Sequence, residues 1–221
     1  GELTHAFQEG PLHTGMAGVV AGLGSRWELM HVTPKMYPTA GYNNPVIELM
    51  TRIRAQHPDP VEEIESITLD MNWLETTYPS PAFPNPDRRA PGIGSTHFYT
   101  AHTCVHGSSP PLSARIDPGR GPTGEDRAVA SLMERIEVVG HKDRPAFAPC
   151  ITIHLRDGTQ YDDQFNGDEL KWDLATETRR IGALFPELPW PEDQLQSIVQ
   201  AVSGLEDQSR VDPLIQLCVR R

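Results

Sequence analysis

Apolar and polar residues alternate most clearly at 67–73, where Ile67, Leu69, Met71 and Trp73 are separated by Thr68, Asp70 and Asn72. That period of two predicts a strand with one core face and one polar face. A second alternation, Ile151, Ile153 and Leu155, runs into Asp157-Gly158 and returns through Thr159 to Phe165. This predicts a hairpin closed by a tight type I′ turn, because glycine accepts φ > 0 cheaply. Elsewhere the period is helical. Asn44 followed by Pro45 predicts an N-cap with proline at the first helical position, and the helix behind it buries Val46, Met50 and Ile53 and stops before Pro58. Ser95 to His106 predicts a helix capped by Ser95 and stopped at Gly107. Val129, Leu132, Met133 and Ile136 fall at helical spacing, and Ile136 to Val139 leads on into a further strand. Near the N-terminus, Met16, Val19, Val20 and Leu23, closed by Gly24, predict a small helix, and Trp27 to Val32 a short strand.

Together these elements predict an α+β fold: a small, mostly antiparallel sheet with two or three helices on one face. From Asp168 the pattern changes to helices alone. Leu170, Leu174 and Ile181 mark one, Leu195 to Leu205 a second, and Val211 to Val219 a third. Their apolar faces have few helical partners within the chain and need something to pack on.

Composition narrows the class. The chain has 221 residues with 38% apolar and 22% charged, which is globular. Lys+Arg 19 against Asp+Glu 30 gives −11, which argues against a nucleic-acid or anionic-membrane surface. No run approaches the roughly 18 apolar residues of a membrane helix. The segment Gly15–Gly24 lacks the basic flank of a signal peptide, so a cytoplasmic location is expected. Cys104, Cys150 and Cys218 have no metal spacing and read as buried thiols without a disulfide framework. Of the 21 prolines, nine fall between Pro79 and Pro122, which makes that region loop-rich. No internal repeat, Gly-rich phosphate loop, Cys-x-x-Cys pair or nucleophile elbow is present.

Few residues carry candidate chemistry. His102 and His106 stand one helical turn apart, with His97 five residues earlier. Such a pair can bind zinc, but no glutamate follows the first histidine and no third ligand is apparent, so solvent-facing or pocket-lining roles are favoured. Lys35 sits between Pro34 and Pro38 beside Met36 and Tyr37, in a loop whose prolines forbid a helix. A stiffly held lysine beside apolar groups suits carboxylate binding or proton donation; the alternative is a surface lysine in a turn. Tyr78 and Tyr42 could donate a phenolic proton or simply pack. Trp172 and Trp190 read as core or interface anchors, and Asp162-Asp163 as a solvated face.

Several segments stand in a definite order: Leu23-Gly-Ser-Arg-Trp-Glu-Leu, Lys35-Met-Tyr-Pro38 and the helix at Asn44-Pro45. Ser95-x-x-Phe98-x-x-Ala101 ending at Gly107, Leu132-Met-Glu-Arg-Ile-Glu-Val138 and Ile151-Thr-Ile-His-Leu-Arg-Asp-Gly158 follow. This order resembles the MmgE/PrpD family, which includes 2-methylcitrate dehydratase, cis-aconitate decarboxylase and iminodisuccinate epimerase, and the likeness covers most of residues 20–215. It implies a helical-domain segment over 1–33, an α+β lid domain over 34–167, and helices of the helical domain over 168–221.

It further implies a lyase or isomerase acting on a small di- or tricarboxylate by proton abstraction α to a carboxylate, without metal or organic cofactor. Lys35 and Tyr78 would be catalytic, and Lys35 and Tyr37 would bind substrate. The partner would be an N-terminal helical half, either a separate chain or a missing region, in a homo- or hetero-oligomer such as a dimer, and the chain alone would be inactive. The decarboxylases carry a histidine shortly after the lysine motif; that place is close to Ala40 here, which argues against cis-aconitate decarboxylation and leaves dehydration or epimerisation. The alternatives are a non-catalytic binding or assembly subunit that keeps the lid fold, and a fragment of a longer enzyme.

Overall fold

The computed structural model describes residues 21–25, 32–77, 95–111 and 127–219. The chain divides into two compact units, Gly1–Pro34 and Lys35–Arg221. In the first, residues 21–25 form a turn in which Gly24 takes φ 80°, and residues 32–34 are irregular. The expected helix over 16–23 and strand over 27–32 lie almost entirely outside the described residues.

The second unit is α+β. Helix α1 (Asn43–Gln56) leads to strand β1 (Ile64–Asn72) and a short helix α2 (Trp73–Thr77). After α3 (Thr96–His106) and α4 (Arg127–Met133) come β2 (Ile136–His141), β3 (Cys150–Leu155) and β4 (Gln160–Gln164). The sheet order is β2-β1-β3-β4. β1 runs parallel to β2 with Ile67 opposite Ile136, and antiparallel to β3 with Ile67 opposite Ile153; β3 and β4 are antiparallel. The sheet is therefore mixed and mostly antiparallel.

Helices α1 and α3 pack on the sheet, and α4 packs on α3. The core is Val46, Ile47, Leu49, Met50 and Ile53 of α1 against Ile64, Ile67, Leu69 and Met71 of β1 and Ile151, Ile153 and Leu155 of β3, with Phe98, Ala101, Val129 and Leu132 closing it. Each such aliphatic side chain contributes about 1.5–3 kcal/mol by leaving water.

Local chemistry explains both agreement and departure. Ser95 Oγ accepts the Phe98 N–H at 3.1 Å and Gly107 takes φ 71°, so α3 starts and stops as its sequence predicts. Trp73, expected to extend the strand, instead opens α2, because Asn72 Oδ1 accepts the Leu74 N–H at 2.9 Å and caps a helix there. Ile136 belongs to β2 and not to the preceding helix, which ends at Met133. The hairpin turn is also not type I′. Gly158 takes φ 89° while Asp157 does not have positive φ, and Gly158 N–H bonds Leu155 O at 3.0 Å. The connection is a three-residue loop with glycine in the left-handed position, a form in which only one residue needs φ > 0.

Beyond the sheet, α5 (Leu174–Gly182), α6 (Glu192–Ser203) and α7 (Asp212–Leu217) form a tail. α6 packs on α7 and on the turn Phe185–Glu187, and Gln194 Nε2 donates to Leu217 O and Val219 O at 2.6 and 3.0 Å. Within these helices only Gln194 and Leu195 are buried, while Leu174, Val202, Leu205, Val211, Ile215 and Val219 are exposed. No helix among the described residues is long and apolar enough to cross a membrane.

Candidate functional site

The loop over 35–40 is folded back onto the start of α1. Pro34 and Pro38 keep it out of a helix. Asn44, expected as the N-cap, lies inside the helix, whose flanking residue Tyr42 makes no side-chain cap. Its buried side chain serves the loop instead: Oδ1 accepts the Tyr37 N–H at 2.9 Å, and Nδ2 reaches Ala40 O at 3.4 Å. Thr39 N–H donates to Tyr37 O at 2.7 Å, which tightens the turn.

Lys35 Nζ donates one of its three protons across this loop to Thr39 O at 3.0 Å. The side chain is exposed, not enclosed by apolar neighbours as its sequence context predicts. An exposed ammonium with a fixed root can hold a carboxylate, using the donors it has left.

Tyr37 is differently committed. Its hydroxyl donates to Glu48 Oε1 at 3.1 Å, and Arg180 Nη1 donates to the same oxygen at 2.6 Å. Burial, reinforced by the Glu48 charge, pushes the phenol well above its ordinary value, so it stays a donor. Beside the loop is a cleft of about 190 Å³. It is lined by Met36, Tyr37 and Pro38 of the loop, Thr51 of α1, residues 107–110, and Leu184 and Glu187 of the tail. Among the described residues, Lys35 does not line it and Glu187 is the one charged residue that does. Such a space is below the ~300–1,000 Å³ of drug-sized sites and suits a small ligand group.

The remaining candidates separate. Tyr78 lies outside the described residues. Tyr42 is buried in the core. His106 is exposed, whereas His97 and His102 are buried and do not face solvent. His102 Nδ1 lies 3.1 Å from Ser108 O; a carbonyl only accepts, so that nitrogen carries the proton. The His102 and His106 rings lie 4.5 Å apart, and no group of three His, Cys, Asp or Glu among the described residues could hold a metal ion. Desolvation holds the His97 imidazole below its ordinary value, and its buried Nδ1 has no hydrogen-bond partner among the described residues.

Asp163, expected on a solvated face, pairs with Arg52 at 2.6 Å, and Arg52 also reaches Glu169 Oε2 and Gln164 O, both at 2.8 Å. Trp172 donates to Glu169 O at 2.8 Å and carries the Arg180 guanidinium 4.3 Å above its ring. The three cysteines are free; Cys104 is buried and its thiol pushed up to about 11 by that burial, but Cys218 is exposed.

Sequence reasoning missed Glu48, Arg180 and Glu75. Nothing in periodicity distinguishes Glu48 from another polar position on an amphipathic helix, and Arg180 meets it across 132 residues. Glu75 is buried in α2, accepting Phe147 N–H at 2.7 Å and Asn72 N–H at 3.2 Å; burial raises its carboxyl above the ordinary value. It holds Phe147, which at φ 57° is the non-glycine with positive φ among the described residues, and so fixes the loop between β2 and β3.

The fold and site define a two-layer α+β unit that presents an exposed lysine on a braced loop beside a small cleft. No family model matches the chain, and no curated protein matches it.

Proposed function

We propose that this chain is the lid-containing part of an MmgE/PrpD-like lyase or isomerase acting on a small di- or tricarboxylate. The reaction is dehydration or epimerisation through loss of the proton α to a carboxylate. Lys35 binds a substrate carboxylate, Tyr37 shapes the adjoining cleft, and the proton-abstracting base comes from a helical half outside this chain. Tyr78 is a further acid candidate on the resemblance alone. The observation that carries the reading is the loop itself: Asn44 and the Tyr37–Glu48–Arg180 contacts brace it while Lys35 remains exposed. The exposed apolar residues of the tail support a helical partner, as a separate chain or as further sequence. A cytoplasmic setting fits the three free thiols.

The test is deuterium exchange at the α carbon of a panel of small polycarboxylates in D₂O, followed by NMR, with the helical half present. Exchange is expected, and Lys35→Ala should lower its rate by about 10–100-fold, the loss of one charge-assisted hydrogen bond to the substrate carboxylate. Absence of exchange, dehydration and epimerisation on every acid overturns the reading. A second reading, a binding or assembly subunit that keeps the lid fold, draws on the Lys35 bond to its own loop and on a cleft lined, among the described residues, by a glutamate and no cation. Unchanged activity in Lys35→Ala favours it.

A further inference from the structure

We infer that Glu48 and Arg180 are positioning residues for Lys35, so that the first tail helix, α5, governs how the lysine loop is held. The functional meaning rests on the role proposed above for Lys35, but the coupling is measurable without turnover.

The loop has two anchors of different origin. The Asn44 anchor is intrinsic, since Asn44 belongs to the same core helix that the loop precedes. The Tyr37 anchor is shared: its hydroxyl is held by Glu48 at 3.1 Å, and the cation facing Glu48 is Arg180, from α5. Arg180 is itself fixed, with its guanidinium 4.3 Å over the Trp172 ring. A few residues further on, Leu184 and Glu187 line the same cleft as Met36, Tyr37 and Pro38. The tail thus reaches the loop's surroundings twice, through Glu48 and through the shared cleft. A half-buried carboxylate that loses its cation is better solvated by water, and movement of Glu48 toward solvent takes the Tyr37 hydroxyl bond with it. The core helix α1 need not change.

The experiment reads hydrogen–deuterium exchange of the segment 35–40 and the rate of Lys35 acetylation, both by mass spectrometry on the full chain. Arg180→Ala is expected to raise both by about two- to five-fold, the range open to a partly exposed ion pair. Arg180→Lys, which keeps the charge, restores part of the effect. In a Tyr37→Phe background, where the loop has lost its bond to Glu48, Arg180→Ala should add nothing. Arg52→Ala breaks the other ion pairs of α1, to Asp163 and Glu169, and should leave the loop unchanged. An unaltered loop in Arg180→Ala, an equal response to Arg52→Ala, or full additivity with Tyr37→Phe overturns the inference. A coupled loop with no effect of Lys35→Ala on activity would sink the catalytic reading and leave the coupling standing.

Discussion

Helices α1 and α6 have similar lengths, 14 and 12 residues, and both show an apolar face in sequence, yet they end in opposite situations. α1 buries eight residues and packs on α3, β4 and β3, whereas α6 buries only Gln194 and Leu195. The difference is in the surroundings. The chain supplies α1 with a sheet, and it supplies α6 with little more than α7 and one turn. Periodicity reports that a helix has a face to bury; it does not report whether the partner surface exists within the same chain. Arg180 stands where the two regions meet, tying the tail to the edge of the core.

The sharpest way to break this contrast is to remove a buried side chain from the core. Ile67→Ala empties a fully buried position between β2 and β3 and should cost about 2–5 kcal/mol in urea unfolding. A cost below about 1 kcal/mol would mean that the sheet is no better packed than the tail.

Gly140 probes the opposite edge of the core by adding volume. A Cβ there would lie 2.5 Å from Thr76 Oγ1 and 3.2 Å from Trp73 Cα, so α2 must shift away from β2. Gly140→Ala should cost about 1–3 kcal/mol, measured the same way. Adding Thr76→Ala should recover only part, because the Trp73 backbone contact remains.

What could be read from sequence divides along the range of the interactions. Ser95 and Gly107 were legible as the ends of α3 because a cap is decided within a few residues. The alternations of β1 and β3 placed the sheet's inner face for the same reason. Asn44 was not legible: the same residue type that caps helices can turn its amide to a loop seven residues away, and only the folded loop decides. Lys35 stands out through its prolines, but Glu48 and Arg180, which brace its loop from α1 and from the tail, leave no local mark. Ser95→Ala tests the legible kind of interaction and should cost about 1 kcal/mol through loss of the cap. Asn44→Ala should instead raise hydrogen exchange over 35–40, with α1 keeping its helicity by circular dichroism.

A smaller effect separates the regions by pH. His97 is buried in the core, and desolvation holds its imidazole below the ordinary 6.5. On acidification the unfolded chain takes up this proton first, near 6.5, and the folded chain only at lower pH. Stability from this group is therefore intact above the unfolded value and is lost as pH falls through that value toward the lower folded one. The urea midpoint should drop between about pH 7.5 and about pH 5.5, and the drop should be shallower in His97→Gln. An equal drop in both proteins would assign the acid sensitivity elsewhere.

The smallest expected effect is in the tail, and its smallness is the point. Val211 and Ile215 are 57% and 55% exposed, so replacing either by serine removes little that folding has buried. Each should change the unfolding free energy by no more than about 0.5 kcal/mol. The same pair of substitutions should reduce binding of a hydrophobic dye and, with the helical partner present, weaken the complex, because association would bury what folding leaves open. A cost of 1 kcal/mol or more in the chain by itself would show that these residues are already covered in solution, for instance by a second copy of the chain. The contrast between α1 and α6 would then be one between an intramolecular and an intermolecular core. Concentration dependence of the unfolding midpoint decides between the two, since a partner copy stabilises by mass action and a folded monomer does not respond to its own concentration.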